Sequence, residues 1–250
     1  MIKNKKNFSF GELFKSSFDE LNSKFKIIFK SFLFIYLLPL VVLLVIFLLI
    51  FVVLSPHLFI SGNAIADLSS GTAGLSIFDS ENLPISSTIF LIFVLIFGLL
   101  SGILMFFLSL SYLNISLSNK SKLSFSEVFS KTKKYFWKYL WFIIATSFLL
   151  MILYLLLIVP GIIFTIYWIF ASYIFIIENK SVMQSLKKSK QIVRGNWWNV
   201  FGYIVLLALI CVGVSIIFNL IPIVGSLLRI LFINSFAIIF IKNFYLKMKN

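Results

Sequence analysis

The chain has 250 residues, 61% of them hydrophobic and 12% charged, with a formal net charge of +14 and a mean hydropathy of +1.08. These proportions exclude an ordinary water-soluble core as the organising principle. The charge does not point to nucleic acid, because a nucleic-acid domain gathers its bases on one soluble face and these lie beside long apolar runs. The single cysteine, Cys211, sits inside such a run, which excludes a disulfide framework and a cysteine-based metal cluster.

Apolar runs of about 20 residues must cross lipid as helices, since lipid cannot hydrogen-bond a bare backbone. In chain order the pattern predicts a surface helix over 9–26, a span over 31–54, an outer loop over 55–87 and a span over 88–110. A second surface helix follows over 124–138, with spans over 141–158 and 162–177. A third runs over 181–194, with spans over 200–218 and 223–241. The two short outer turns are expected around Val159-Pro160-Gly161 and Asn219-Leu220-Ile221-Pro222.

All but one of the 22 Lys and Arg residues fall in four blocks between these runs. The first is Lys3, Lys5, Lys6, Lys15, Lys24, Lys26 and Lys30; the second Lys120, Lys122, Lys131, Lys133, Lys134 and Lys138. The third is Lys180, Lys187, Lys188, Lys190 and Arg194, and the last Lys242, Lys247 and Lys249. The loop from Ser55 to Ser87 has Asp67, Asp79 and Glu81 and no base. Short basic loops remain cytoplasmic, so the expected topology has both termini inside. The first 30 residues lack a short apolar region with a cleavage site, so no removable signal is expected there. The expected fold is therefore an all-α, six-span integral membrane protein built as three transmembrane hairpins, each preceded by an amphipathic interfacial helix.

Before the odd-numbered spans stand Ser9-Phe10-Gly11-Glu12, Ser124-Phe125-Ser126-Glu127 and Ser181-Val182-Met183-Gln184. Each has the form of a capping box, in which Ser accepts an amide of the new helix and Glu or Gln reaches back. The amphipathic stretches that follow make three similar units. Two readings of that similarity stand side by side: a triplicated unit, or the common need of any polytopic chain for capped basic helices.

The third unit contains Pro160-Gly161, Trp168, Glu178, Ser185-Leu186, Ser189, Arg194-Gly195-Asn196-Trp197-Trp198 and Phe201. This run of about 42 residues, Pro160 to Phe201, resembles the prokaryotic membrane-domain families grouped with the glycerophosphoryl diester phosphodiesterase membrane domain. The resemblance implies a location in a prokaryotic plasma membrane and a six-span fold. It implies no reaction, because the phosphodiesterase activity of such families belongs to a separate soluble barrel. On physical grounds Gly195 suits a left-handed helix end, Asn196 a cap, and Trp197 and Trp198 the headgroup belt.

Arg229 is the one ionisable residue well within a span. It is open to three readings: a functional group, a base snorkelling to outer headgroups, or a partner of an outer-loop acid such as Asp67. Glu178 ends the fourth span, where the helix dipole is negative, and wants a cation such as Lys180 or a base of the next surface helix. Asn219, Asn234, Thr146 and Thr165 are expected to bond between helices. Gly98 and Gly102, spaced as GxxxG, permit close helix approach.

No catalytic, metal or cofactor residues are expected. His57 is the lone histidine, and neither an HExxH, a pair of intramembrane aspartates nor a glycine-rich phosphate loop is present. The sequence therefore favours a non-enzymatic scaffold or accessory protein with a basic cytoplasmic face on anionic lipid. Lys131, Lys133, Lys134, Lys187, Lys188, Arg194, Trp197 and Trp198 are its candidate contacts. Its expected partners are anionic lipid headgroups and an unidentified membrane protein or a second copy of itself. The alternative is a transporter or lipid-translocating protein, with Arg229 and Asn234 marking a polar groove.

Overall fold

A computed structural model of the protein describes residues 8–60, 85–118, 123–221 and 224–249. Asp67, Asp79 and Glu81 of the predicted outer loop, Lys3, Lys5, Lys6, Lys120, Lys122 and Pro222 lie outside the described residues. The chain runs α1 (Phe10–Ser31), a π-helical segment (Phe32–Leu37), α2 (Leu38–Ile60), α3 (Ile85–Leu117) and α4 (Phe125–Leu156). Then come α5 (Ile158–Tyr167), α6 (Ala171–Ile177), α7 (Val182–Val193) and α8 (Trp197–Asn219). It ends with α9 (Val224–Leu228), a second π-helical segment (Arg229–Asn234) and α10 (Ser235–Lys249). Among the described residues there is no strand, and six helical runs are long and apolar enough to cross a membrane.

Helices α1, α4 and α7 begin one residue after Ser9, Ser124 and Ser181. At Ser9 the box is complete: the Glu12 amide donates to the Ser9 hydroxyl at 3.1 Å and the Ser9 amide donates back to the Glu12 carboxylate at 3.4 Å. At Ser181 the amide donates to the Gln184 side-chain carbonyl at 3.4 Å. Ser124 makes no side-chain capping bond, so α4 starts there without the predicted box.

The helices do not stop where the composition changes. The predicted surface helix over 124–138 and the span over 141–158 are one unbroken helix, α4, of 32 residues and so about 48 Å long. Lysine and tryptophan are both compatible with a helix interior, so a change of polarity is no reason to break one. Helical structure likewise continues from Phe10 to Ile60. Its π-helical stretch ends just before Pro39, which has no N–H to offer the carbonyl four residues back.

The predicted span over 162–177 shows the opposite correction. The chain reverses at Leu157, whose backbone is extended, and Pro160 and Gly161 fall in the first turn of α5, where proline is tolerated. A turn at 168–170 then splits the run into α5 and α6. The predicted last span, 223–241, continues helically to Lys249.

The chain forms two compact units, Met1–Phe32 with Ser109–Asn250, and Leu33–Leu108. In the first, the core gathers around Leu13, Phe170, Val193, Phe240, Phe244 and Tyr245, with Phe8, Tyr203 and Phe170 ringing Phe244 at centroid distances of 5.9, 5.3 and 5.4 Å. Elsewhere its helices expose large apolar side chains, Leu155 at 81% among them. That is the inverse of a soluble protein and fits a lipid solvent. In the second unit α2 meets the first half of α3 through Phe47, whose ring lies 6.2 Å from Phe93 and 5.8 Å from Phe97.

Candidate functional site

Polar chemistry in the first unit collects at two carboxylates, each beside a lysine of α10. Glu20 lies on α1. Its oxygens accept from Lys242 at 2.6 Å each and from Lys24, one turn on, at 2.7 Å. Lys24 also donates to the carbonyls of Ile115, Ser116 and Ser118 at 3.2, 3.2 and 2.9 Å, at the C-terminal end of α3. The Ile115 carbonyl also accepts the Ser118 amide at 3.2 Å, and carbonyls at this end of a helix lack the usual i+4 donors and carry the negative end of its dipole, so a cation there is favoured. Lys242 is buried and adds a bond to the Ser116 carbonyl at 3.3 Å.

Glu178 follows the last residue of α6. Lys188 of α7 reaches its oxygens at 2.7 and 2.6 Å, Lys249 at 3.0 Å and Lys180 at 3.5 Å. Tyr245 donates its hydroxyl to the same carboxylate at 3.2 Å. Partial burial works against ionisation, but the hydrogen bonds and charges of Lys188 and Lys249 outweigh it and hold the Glu178 carboxyl down at about 2 against the usual 4.5. Lys188 thus turns onto Glu178 rather than joining an outward layer.

Between these clusters α7 is fastened through the break in the fourth apolar run. The Ser189 hydroxyl is fully buried; it accepts the Phe170 amide at 3.2 Å and donates to the Tyr167 carbonyl at 2.7 Å. Splitting a helix strands backbone groups, and one serine from a neighbouring helix satisfies a donor and an acceptor together. Lys190 beside it lies over the Phe164 and Tyr167 rings at 5.0 and 5.6 Å.

Other described bases lie at the surface. Lys131, Lys133, Lys134 and Lys138 of α4 are exposed, and so are Lys187 and Arg194. Trp137 and Trp141 continue the α4 surface at 76% and 68% exposure, and Trp198 is 77% exposed. Gly195 adopts φ +91°, the left-handed conformation, and turns the chain from α7 into α8. Asn196 occupies the cap position of α8 but makes no side-chain capping bond. Trp197 is a packing residue, stacked on Phe201 at 5.1 Å and donating to the Ile163 carbonyl at 3.4 Å.

The other sequence-predicted residues scatter. Arg229 is exposed at the start of the second π-helical segment and makes no ion pair among the described residues; its alternative partner Asp67 lies outside them. Asn234 donates to the Ser109 hydroxyl at 3.2 Å, and Thr165 bonds the Gly161 carbonyl and the Tyr154 hydroxyl at 2.8 and 2.9 Å. Thr146 carries a buried hydroxyl with no hydrogen-bond partner among the described residues, and Asn219 is exposed. Nothing lies within 4 Å of a Cβ built on Gly98 or Gly102, so the GxxxG face is open rather than packed.

Sequence reasoning missed Glu20, Lys24, Lys242, Lys249, Tyr245 and Ser189. The i,i+4 spacing of Glu20 and Lys24 was a usable signal. The rest meet only through tertiary packing.

Among known proteins, the family described as a domain of unknown function (DUF7847) matches residues 88–241, more than half of the chain. The Pro160–Phe201 run falls inside that match, and nothing ties the chain to the glycerophosphoryl diester phosphodiesterase membrane-domain family. No curated protein and no solved structure matches the chain.

Proposed function

The chain belongs to the DUF7847 family, and because that family carries no assigned activity we propose from the surface alone that the protein is a non-enzymatic membrane scaffold. Its basic side is cytoplasmic and rests on anionic lipid while its spans dock another membrane protein or a second copy. The observation that carries this reading is the juxtaposition on α4 of exposed Trp137 and Trp141 with exposed Lys131, Lys133, Lys134 and Lys138. Tryptophan favours the level where hydrocarbon meets headgroups. At 1.5 Å per residue Lys138 and Lys134 stand roughly 5 and 10 Å beyond Trp141, at headgroup depth, and Lys131 roughly 15 Å beyond.

The continuity of α4 modifies how that layer is built. A helix about 48 Å long is longer than the roughly 30 Å hydrocarbon core, so its basic first turns extend the span into the headgroups and beyond rather than lying flat. Lys187, Arg194 and Trp198 make a second basic and aromatic edge around the α7–α8 corner. Attraction to an anionic surface is worth roughly 1 kcal/mol per base close to it and fades over a Debye length of about 8 Å.

Support against a flux pathway comes from the span residues that would line it. Asn234 and Thr165 are bonded to neighbouring side chains or carbonyls, and Arg229 faces outward. The test is site-resolved lysine acetylation of the full chain in phosphatidylcholine nanodiscs with and without phosphatidylglycerol, beside a lipid-scrambling assay. Protection of Lys133, Lys134 and Lys138 by the anionic lipid, without scrambling, is the expected result. Protein-dependent scrambling with no protection contradicts it.

A further inference from the structure

The Glu178 cluster brings together more positive charge than its carboxylate neutralises. Lys180, Lys188 and Lys249 place ammonium nitrogens 3.5, 2.6 and 3.0 Å from one carboxylate, so two positive charges remain over. Lys188 is committed to both oxygens. Lys180 and Lys249 touch the carboxylate singly, and their side chains are 37% and 40% exposed. An ammonium has three donors, so each of these two has donors to spare after its contact with Glu178.

The cluster is also held in place. Lys249 lies 5.8 Å from the centre of the Tyr245 ring, Tyr245 itself bonds Glu178, and the α6–α7 link is fixed on one side by the Ser189 bridge. Convergent lysines that repel one another are costly to assemble unless an anion completes the set. Glu178 directly follows the apolar run that ends at exposed Ile177, which is where headgroup phosphates lie if that run spans the bilayer.

We propose that Lys180 and Lys249, gathered around the Lys188–Glu178 pair, form a binding site for a phosphomonoester dianion, presented by an anionic lipid headgroup or as free phosphate. A phosphomonoester carries roughly −1.5 to −2 charges at neutral pH and three strong acceptor oxygens, which matches a surplus of two charges with unused ammonium donors. A phosphodiester headgroup supplies only one charge and leaves the set incomplete. The site rests on the reading that the basic end of the spans meets anionic lipid, and it adds a preference among anionic lipids that a diffuse basic layer does not have.

The experiment uses the full chain in phosphatidylcholine nanodiscs doped equally with phosphatidic acid and phosphatidylglycerol, with the lipids retained after detergent exchange counted by native mass spectrometry. The wild type retains several-fold more phosphatidic acid than phosphatidylglycerol. Lys180→Gln/Lys249→Gln, which keeps the Lys188–Glu178 pair, falls to parity, and Lys180→Arg/Lys249→Arg keeps the preference. A second arm follows line broadening of inorganic phosphate by ³¹P NMR in nanodiscs of phosphatidylcholine alone. Broadening that the Gln variant abolishes, without a lipid preference, assigns the same site to free phosphate. No preference and no phosphate broadening in the wild type overturns the site, as does a preference that survives in the Gln variant. If total anionic lipid then still exceeds what a neutral annulus holds, the site alone is wrong; if that excess is missing too, the lipid-facing reading falls with it.

Discussion

The Lys242 ammonium lies 2.6 Å from both carboxylate oxygens of Glu20, although 222 positions separate the two residues in the chain. Lys242 is 6% exposed, and a buried ammonium without a counter-charge costs several kcal/mol. The pair therefore ties α1 to α10, the first and last helices described, and the Asn243 amide donating to the Ser17 hydroxyl at 3.2 Å reinforces the contact.

The two partners should differ in their sensitivity to removal. Glu20→Leu leaves Lys242 buried beside Lys24 with no carboxylate, so a loss of about 3 kcal/mol is expected. Lys242→Met leaves Glu20 still paired with Lys24 at 2.7 Å and costs less, on the order of 1–2 kcal/mol. The double variant recovers much of the loss, because two apolar groups replace two charges. Thermal unfolding of the four proteins in one detergent gives the coupling.

Ser189→Ala removes a donor and an acceptor at once and leaves the Phe170 amide and the Tyr167 carbonyl without their present partner. The expected cost is about 1–3 kcal/mol. Hydrogen exchange at Phe170 should speed up in the variant more than exchange in the middle of α8, which localises the effect to the α5–α6 break.

Glu178 sets a pH dependence with a definite sign. A carboxyl held at about 2 when folded, against 4.5 otherwise, stabilises the folded state above the higher value and loses that contribution as the pH falls toward the lower one. The stability difference between wild type and Glu178→Gln is therefore constant from neutral pH to about pH 5 and shrinks between pH 4.5 and 2. Unfolding midpoints of both proteins across that range, in one detergent, measure it. A difference that stays constant throughout rejects the lysine set as its cause.

Two glycines should respond oppositely to alanine. A Cβ on Gly225 collides with the Phe218 carbonyl oxygen, so the backbone at Phe218 or Gly225 must move. A cost of about 1–3 kcal/mol is expected for Gly225→Ala. Gly98→Ala meets nothing within 4 Å and, inside a helix, should raise the unfolding midpoint, by about 0.5–1 kcal/mol of stability.

The helix starts were legible because a capping serine and its Glu or Gln partner lie three residues apart, and the left-handed turn at Gly195 was legible because φ +91° favours glycine. The helix ends were less so. Lys138 and Trp141 mark a change of composition, not of backbone, and α4 runs through both. The break between α5 and α6 was hidden for the converse reason: its stranded groups are satisfied by Ser189, a residue of another helix. The same limit applies to the ion clusters, since Lys242 and Lys249 read as an ordinary basic tail until α10 is packed against Glu20 and Glu178.

If the outward bases hold anionic lipid, the lipid annulus carried by the purified protein shows it. The full chain is purified from mixed phosphatidylcholine and phosphatidylglycerol bilayers at low and high salt, and the retained lipids are quantified for wild type and Lys131→Gln/Lys133→Gln/Lys134→Gln/Lys187→Gln. Phosphatidylglycerol is then enriched over the bulk on the wild type, with the enrichment reduced by salt and by the four substitutions. An annulus equal to the bulk at both salts, and unchanged in the variant, rules out such binding.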